Sequence, residues 1–205
     1  MYKVMYFMKT ILENFFFQIE IEKSKFLGYA IAINNEEDAK NEINRIKKEH
    51  PKATHHCYAY VLKDKQKSND DGEPAGTAGI PILEIIKQFD LENVLIVVVR
   101  YFGGIKLGAG GLVRAYARSA KEVLLVSKIH EIKTLPTYNL IFDYNYISSM
   151  ENFIAKNQLK ILEKEYELKV TYTLLLETPN ILEKITDFMQ GKIEINYIKD
   201  IEYIY

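Results

Sequence analysis

Apolar and polar residues repeat with two different periods in the first part of the chain. Short aromatic and β-branched segments with a period of two predict strands, and residues 93–102 form an unbroken apolar run typical of a central buried strand. Residues 35–49 repeat apolar positions at helical spacing, with Ala39, Ile43 and Ile46 on one narrow stripe. The predicted strands span residues 15–22, 25–33, 53–62 and 93–102, and the predicted helices span residues 35–49, 81–89 and about 112–126.

Two segments between these elements have no apolar periodicity. Residues 63–79 are polar and residues 103–111 are rich in glycine, so we predict that both are loops. Each loop leads into a predicted helix. Pro81 suits the first turn of its helix, where the N–H group that proline lacks would have no partner within the helix.

The pattern changes after Pro136. The order of predicted elements becomes βαββαβ, which is the split-βαβ arrangement of ferredoxin-like domains. We place a domain boundary between Lys128 and Pro136, and we expect an α+β protein with two domains, residues 1–130 and 135–205. The predicted elements of the second domain are a strand at 137–144, a helix at 146–157, strands at 160–164 and 168–177, a helix at 180–190 and a strand at 193–203.

The composition is that of an ordinary globular protein, with 48% hydrophobic residues, 27% charged residues and a net charge of −1. Neither half is strongly basic, so nucleic-acid binding would require a local patch. Cys57 is the only cysteine, which is typical of a reducing compartment, and we expect a cytoplasmic monomer.

The N-terminal segment is apolar but interrupted. Lys9 and Glu13 lie within residues 4–17, so we expect neither a signal peptide nor a membrane span there. Three methionines are candidate translation starts: Met1, Met5 and Met8.

Glycine and arginine are concentrated in one part of the chain. Eight of the ten glycines lie between Gly72 and Gly111, and three of the four arginines lie within residues 100–118. Helix N-termini favour anions, and the rigid guanidinium matches phosphate or carboxylate. We therefore expect an anion- or nucleic-acid-binding surface formed by Arg100, Tyr101, Gly103, Gly104, Lys106, Gly108, Gly110, Gly111, Arg114 and Arg118. An alternative is that the glycines only allow close packing and that Arg100 forms an ion pair with Asp70 or Asp71.

Asp70, Asp71 and Glu73 also have two interpretations. They have the chemistry of a catalytic acid and base or of Mg²⁺ ligands, but they also suit capping of the next helix, which is the role that we favour. His55 and Cys57 share one face of a predicted strand, but a metal site would need a further ligand, so we expect no metal site and no cofactor.

Formal nucleotide-binding motifs are absent from the sequence. The run GAGGLV ends in Val113, where the dinucleotide fingerprint has its third glycine, and no GxxxxGK[ST] motif occurs. A Rossmann or P-loop assignment is therefore excluded.

Five segments resemble the YigZ/IMPACT family. They are Ser24-Lys25-Phe26, residues 53–60 (ATHHCYAY), residues 70–79 (DDGEP and GTAG), residues 100–108 (RYFGG and KLG) and residues 110–116 (GGLVRAY). The sequence departs from the family pattern at His56 and Tyr58, where Asn and Trp are expected, and at Ala75, where Ser is usual.

The resemblance implies a fold and a function. It implies an N-terminal domain similar to the second domain of a small-subunit ribosomal protein and a ferredoxin-like C-terminal domain similar to those of elongation factor G. It also implies a link to translation, since the eukaryotic relatives regulate translation by binding a kinase activator through this N-terminal region.

Two functional hypotheses follow from the sequence. In the first, the protein regulates translation or a stress response and binds RNA, the ribosome or a protein partner through residues 100–118. In the second, it is an enzyme that acts on a phosphorylated or anionic small molecule. Asp70, Asp71 or Glu73 would then act as acid, base or metal ligand, and Arg114 would bind the anion.

Overall fold

The computed structural model describes residues 8–177 and 180–204, so the candidate translation starts Met1 and Met5 lie outside the described residues. Within these ranges the chain divides into two compact units, residues 8–132 and residues 133–204, called the N-terminal unit and the C-terminal unit below. The predicted α+β class is confirmed. No helix in the described ranges is long and apolar enough to span a membrane.

In its described residues the N-terminal unit contains six strands and three helices before a last strand, which continues into the C-terminal unit. In chain order these are β1 (Met8–Ile11), β2 (Phe15–Ile21), β3 (Ser24–Ala32), α1 (Glu36–Glu49), β4 (His55–Val61), β5 (Gln66–Asn69), α2 (Gly79–Gln88), β6 (Val94–Tyr101), α3 (Gly108–Leu125) and β7 (Ile129–Phe142).

Five antiparallel strands form the sheet of the N-terminal unit, in the order β2-β3-β6-β4-β5. The central strand β6 is buried over its first seven residues, as the apolar run predicts. Alternate side chains of a strand point to opposite faces, so the sheet has two cores. Val94, Ile96 and Val98 pack with α2 and α3. Leu95 and Val97 pack with α1 on the other face.

Helix α1 shows how the local sequence sets an element's start. The Asn35 side chain accepts a hydrogen bond from the backbone N–H of Asp38 at 2.8 Å, which is the geometry of an N-cap. Acidic residues occupy the first turn and two lysines the last, so both ends complement the helix dipole. The buried residues Ala39, Ile43 and Ile46 are those of the predicted stripe.

Two predictions for the loops are wrong in part. The segment at residues 63–79 contains β5 (Gln66–Asn69), which pairs with β4 although its sequence is polar. It is an edge strand whose side chains are mostly exposed, so its sequence does not alternate between apolar and polar residues. Only its backbone hydrogen bonds define it as a strand. Helix α3 begins at Gly108 rather than near residue 112, and the low helix propensity of its first glycines hides this start in the sequence.

Strand β1 was not predicted either. It pairs antiparallel with residues 129–132, the first four residues of β7, and Ile11 lies in the same core as α2 and α3. The four residues of β1 are too few to show a period in the sequence.

The C-terminal unit confirms the predicted βαββαβ order. After β7 and a 3₁₀ turn (Tyr144–Tyr146) come α4 (Ile147–Lys156), β8 (Lys160–Tyr166), β9 (Val170–Leu175), α5 (Asn180–Phe188) and β10 (Glu194–Ile204).

The sheet of this unit has the order β10-β7-β9-β8. Its core joins the strands to α4 and α5 through apolar residues that include Leu140, Met150 and Ile185. The predicted boundary region, from Lys128 to Pro136, overlaps the first part of β7. The strand continues through Pro136, whose carbonyl accepts a hydrogen bond from Leu176 N–H at 3.1 Å.

Candidate functional site

The last two residues of β6 point to opposite faces of the sheet. The hydroxyl of Tyr101 is 2.9 Å from Nδ1 of His50, on the face that packs against α1. The guanidinium of Arg100 is 5.5 Å from the ring centroid of Phe26, on the face that packs against α2 and α3. Arg100 and Tyr101 therefore do not share a surface. The sheet separates members of the ten-residue set that was predicted to form one anion- or nucleic-acid-binding surface.

Arg100 forms an ion pair in the interior. Its Nη1 donates a hydrogen bond to Oε1 of Glu73 at 2.6 Å, and the O–H of Tyr116 donates to the same oxygen at 2.7 Å. Arg100 is 5% exposed and Glu73 9% exposed. Burial raises the pKa of Tyr116, which keeps this hydroxyl protonated as a donor. Arg100 therefore has the structural role of the alternative hypothesis, but its partner is Glu73 rather than either aspartate.

Asp70 caps helix α2. Its carboxylate accepts hydrogen bonds from the backbone N–H groups of Gly76 at 2.8 Å, Ala78 at 3.0 Å and Gly79 at 2.8 Å. Burial alone raises the pKa of Asp70, and the three N–H groups more than offset this effect, so the pKa lies below its usual value. The helix N-terminus at the end of the first loop thus already has an internal anion.

Asp71 joins α1 to β4. One carboxylate oxygen accepts from Nζ of Lys47 at 2.8 Å, and the other accepts from the backbone N–H of His56 at 2.7 Å. Burial raises the pKa of Asp71, but these two contacts outweigh it and the pKa lies below its usual value. All three acidic candidates of the enzyme hypothesis therefore have structural partners.

The side chains of β4 that face α2 and α3 bind backbone carbonyls. Nδ1 of His55 donates to the carbonyl of Asp71 and the thiol of Cys57 donates to the carbonyl of Asp70, both at 2.9 Å. Burial raises the pKa of the Cys57 thiol to about 12, so the thiol stays protonated at neutral pH. Within the described parts of the chain, no group of three or more His, Cys, Asp and Glu side chains is arranged to bind a metal.

The glycines that follow β6 have backbone roles. A Cβ atom on Gly103 would lie 2.0 Å from the carbonyl carbon of Lys23, so only glycine allows this approach of the two loops. Gly104 and Gly108 have φ angles of +86° and +70°, which other residues rarely adopt. These three glycines are therefore explained by the path of the backbone.

A cleft of about 550 Å³ lies beside the start of α3. Among the described residues, three cationic side chains line it, those of Lys106, Arg114 and Arg118, and one acidic side chain, that of Glu22. The first turn of α3 has no side-chain cap and no acidic residue. The unpaired N–H groups and the dipole of this helix end favour an anion.

The structure brings together only part of the predicted set. The residues that line the cleft are Lys106, Gly111, Arg114 and Arg118 from that set, together with Ile21, Glu22, Ile105, Leu107 and Ala115. Gly108 and Gly110 belong to the same first turn of α3. The expectation that Arg100 and Tyr101 contribute to one anion-binding surface is not supported by their positions.

Sequence reasoning missed Ile21 and Glu22. They reach the cleft because β2 and β3 form a hairpin whose two-residue turn, Glu22 and Lys23, has positive φ at both positions. The sequence signal for the hairpin is a pair of polar residues between two apolar strands. Nothing in the local sequence places that turn beside α3.

Two family models match successive parts of the chain. Residues 22–124 match the family model described as Impact N-terminal domain, and residues 140–192 match the one described as Domain of unknown function (DUF1949). The fold and these matches define a two-domain protein with an Impact N-terminal domain. The chain belongs to the IMPACT family, as the sequence resemblance predicts.

Two bacterial relatives align over most of the chain. IMPACT family member YvyE of Bacillus subtilis is 41% identical over 192 residues, which cover 91% of this chain and 88% of the relative. IMPACT family member YigZ of Escherichia coli is 34% identical over 189 residues, covering 88% and 93%. A crystal structure of a hypothetical protein is similar at 31% identity with a TM-score of 0.61, covering 94% of this chain and 98% of that one.

Proposed function

We propose that the protein regulates translation by binding an anionic macromolecule in the cleft beside α3. The observation that carries this proposal is the arrangement of Lys106, Arg114 and Arg118 around an uncapped helix N-terminus, with Glu22 as the one acidic lining residue. Cations and a helix N-terminus placed together favour phosphate or carboxylate groups.

The cationic side chains of the cleft are available to a partner. Arg118 is 63% exposed at its side chain and has only a 3.8 Å contact with Glu122, which is a weak surface pair. Among the described residues, no carboxylate lies within 4.0 Å of the charged atoms of Lys106 or Arg114. An incoming anion would therefore not have to displace a strong internal partner.

Family membership supports the link to translation. The cleft lies in the Impact N-terminal domain, the region through which the resemblance implies that the eukaryotic relatives regulate translation. The enzyme hypothesis has less support, because Asp70, Asp71 and Glu73 are engaged in a helix cap and two ion pairs. Binding rather than catalysis is the function that the geometry favours.

Cosedimentation with ribosomes from lysate, at increasing salt and with or without ribonuclease, tests the proposal. Replacing Arg114 and Arg118 with alanine is expected to weaken association by roughly tenfold or more, because two charged contacts are lost. Association of the wild type is expected to fall as salt screens the charges.

A matched control removes the same charge elsewhere. Lys48 and Lys52 are exposed and lie outside the cleft, so their replacement with alanine should leave association unchanged. The proposal would be contradicted if association with ribosomes did not depend on salt, or if it fell equally in both double variants. The ribonuclease arm separates an RNA partner from a protein partner.

A further inference from the structure

Strand β2 is a free edge of the N-terminal sheet. Among the residues that the structure describes, it pairs only with β3, over seven residues without a bulge. Its sequence, FFFQIEI, contains one charged residue and no proline. Edge strands are usually protected against further pairing by charge, proline, a bulge or short length. The other edge, β5, is protected in this way, because it has four polar residues including Lys67.

The outward backbone groups of β2 follow from a hydrogen bond at the end of β3. Ala32 donates its N–H to the side chain of Asn14, on the β2 side of β3. In an antiparallel sheet, N–H and C=O of one residue point to the same neighbour and those of the next residue point away. Ala30 and Gly28 therefore also face β2, where they pair with Phe15 and Phe17.

By the same alternation, three residues of β2 direct their backbone away from the sheet. They are Phe16, Gln18 and Glu20. Their side chains are exposed, and Phe16 is 50% exposed. Among the described residues, no backbone partner outside β3 is found for this strand. The edge therefore offers three N–H donors and three C=O acceptors in a row.

The side chains of β2 on the other face of the sheet point towards α3. Phe17 and Ile19 pack against the core that contains α3 but remain partly exposed. Ile21, at the end of the strand, lines the cleft with Arg114 and Arg118. A strand added beside β2 would place every second side chain on this same face of the sheet, the face on which the two arginines line the cleft.

We propose that β2 takes up an extended acidic segment of a partner protein as an added strand. Main-chain hydrogen bonds to Phe16, Gln18 and Glu20 would provide affinity, and carboxylates at alternate positions would meet Arg114 and Arg118. This proposal rests on the proposed function, because it names the partner class of the same cleft.

Two other occupants fit less well. RNA has no alternating N–H and C=O groups to match a strand edge. A second copy of this chain would offer its own β2, whose one charged residue, Glu20, lies on the face away from α3 and leaves the arginines without a partner.

A selection of random twelve-residue peptides displayed on phage tests the proposal with the whole protein. Selected peptides are expected to carry acidic residues at alternate positions. Their affinities, measured by fluorescence anisotropy, should fall roughly tenfold or more in Gln18→Pro, which removes an outward N–H without removing a bond to β3. Gln18→Ala keeps the N–H and should bind like the wild type.

Amide hydrogen exchange gives a second measurement that does not depend on a variant. Binding of a selected peptide should slow exchange at Phe16, Gln18 and Glu20, with little change at residues already bonded to β3. If the selected peptides bind Gln18→Pro as tightly as the wild type and leave these amides unprotected, the added-strand proposal is wrong.

The outcomes separate this inference from the proposed function. If the selected peptides lose affinity in the Arg114/Arg118 double variant but not in Gln18→Pro, the cleft stands and the added strand is wrong. The same conclusion follows if no peptide binds and only poly(U) RNA loses affinity in the arginine variant. If the arginine variant binds every ligand as tightly as the wild type, the binding role proposed for the cleft is wrong. If sedimentation experiments show a concentration-dependent dimer that disappears in Gln18→Pro, the partner of β2 is a second copy of this chain and the acidic-segment proposal is wrong.

Discussion

Arg100 and Glu73 are 27 residues apart in sequence and 2.6 Å apart in the structure, measured from Nη1 to Oε1. Both side chains are almost completely removed from solvent. The most conspicuous cation and the last acid of the polar loop therefore neutralise each other inside the protein. Arg100 is thus not available to an external anion, and the proposed anion-binding role is left to the exposed cations Arg114 and Arg118 of α3.

The ion pair predicts a large stability effect. Replacing Glu73 with alanine leaves the guanidinium of Arg100 buried without its partner, so we expect the free energy of unfolding to fall by about 3–5 kcal/mol. Urea denaturation measures the loss. Glu122→Ala, which removes only a 3.8 Å surface contact of Arg118, should change stability by about 0.5 kcal/mol or less. Equal losses in the two variants would contradict the role assigned to the buried pair.

The cap by Asp70 predicts a pH dependence. The folded-state pKa of Asp70 lies below its usual value of 3.8, so folding favours the carboxylate. Its contribution is complete above pH 3.8 and is lost as the pH falls through the folded-state pKa. Asp70→Asn should therefore be less stable than the wild type by about 2 kcal/mol at pH 7. The gap should shrink below pH 3.8, and a gap independent of pH would be evidence against a charged cap.

The two kinds of glycine predict opposite effects of alanine. Gly103→Ala places Cβ against the backbone of Lys23 and should destabilise the protein by about 3 kcal/mol. Gly110→Ala meets only the end of Arg114 at 3.6 Å, inside a helix, and should stabilise by up to about 1 kcal/mol. Thermal unfolding followed by circular dichroism distinguishes them. A stable Gly103→Ala protein would show that the two loops separate more easily than their contact suggests.

Cys57 should be inert in the folded protein. Its thiol is fully buried and its pKa is raised to about 12, so Ellman's reagent at pH 8 should react at a rate limited by opening of the structure. The same protein in urea should react rapidly. Fast labelling without denaturant would indicate that β4 opens locally.

Much of the architecture could be predicted because strong periodicity and family resemblance coincide in it. The buried run of β6 and the apolar stripe of α1 were both visible in the sequence. Strand β5 could not be predicted, since its pairing involves only the backbone. The start of α3 was misplaced because glycine is a poor helix former.

The candidate site was harder to predict than the fold. The clustering of arginine led to Arg114 and Arg118 but also included Arg100, which has the same chemistry in a buried position. The ion pair between Arg100 and Glu73 depends on the tertiary packing of β4, α2 and β6, which the local sequence does not show. The position of Glu22 in the cleft depends likewise on the packing of a hairpin against a helix.

The polar segment from Asp70 to Gly79 connects five separate elements through three short carboxylate side chains. Asp70 reaches α2, Asp71 reaches both α1 and β4, and Glu73 reaches β6 and α3. The acidic and glycine-rich sequence of this segment resembles a catalytic motif. Each of its three carboxylates nevertheless contacts other elements of the fold. A search of genomes with this ten-residue string would gather chains that fold alike rather than chains that share a reaction.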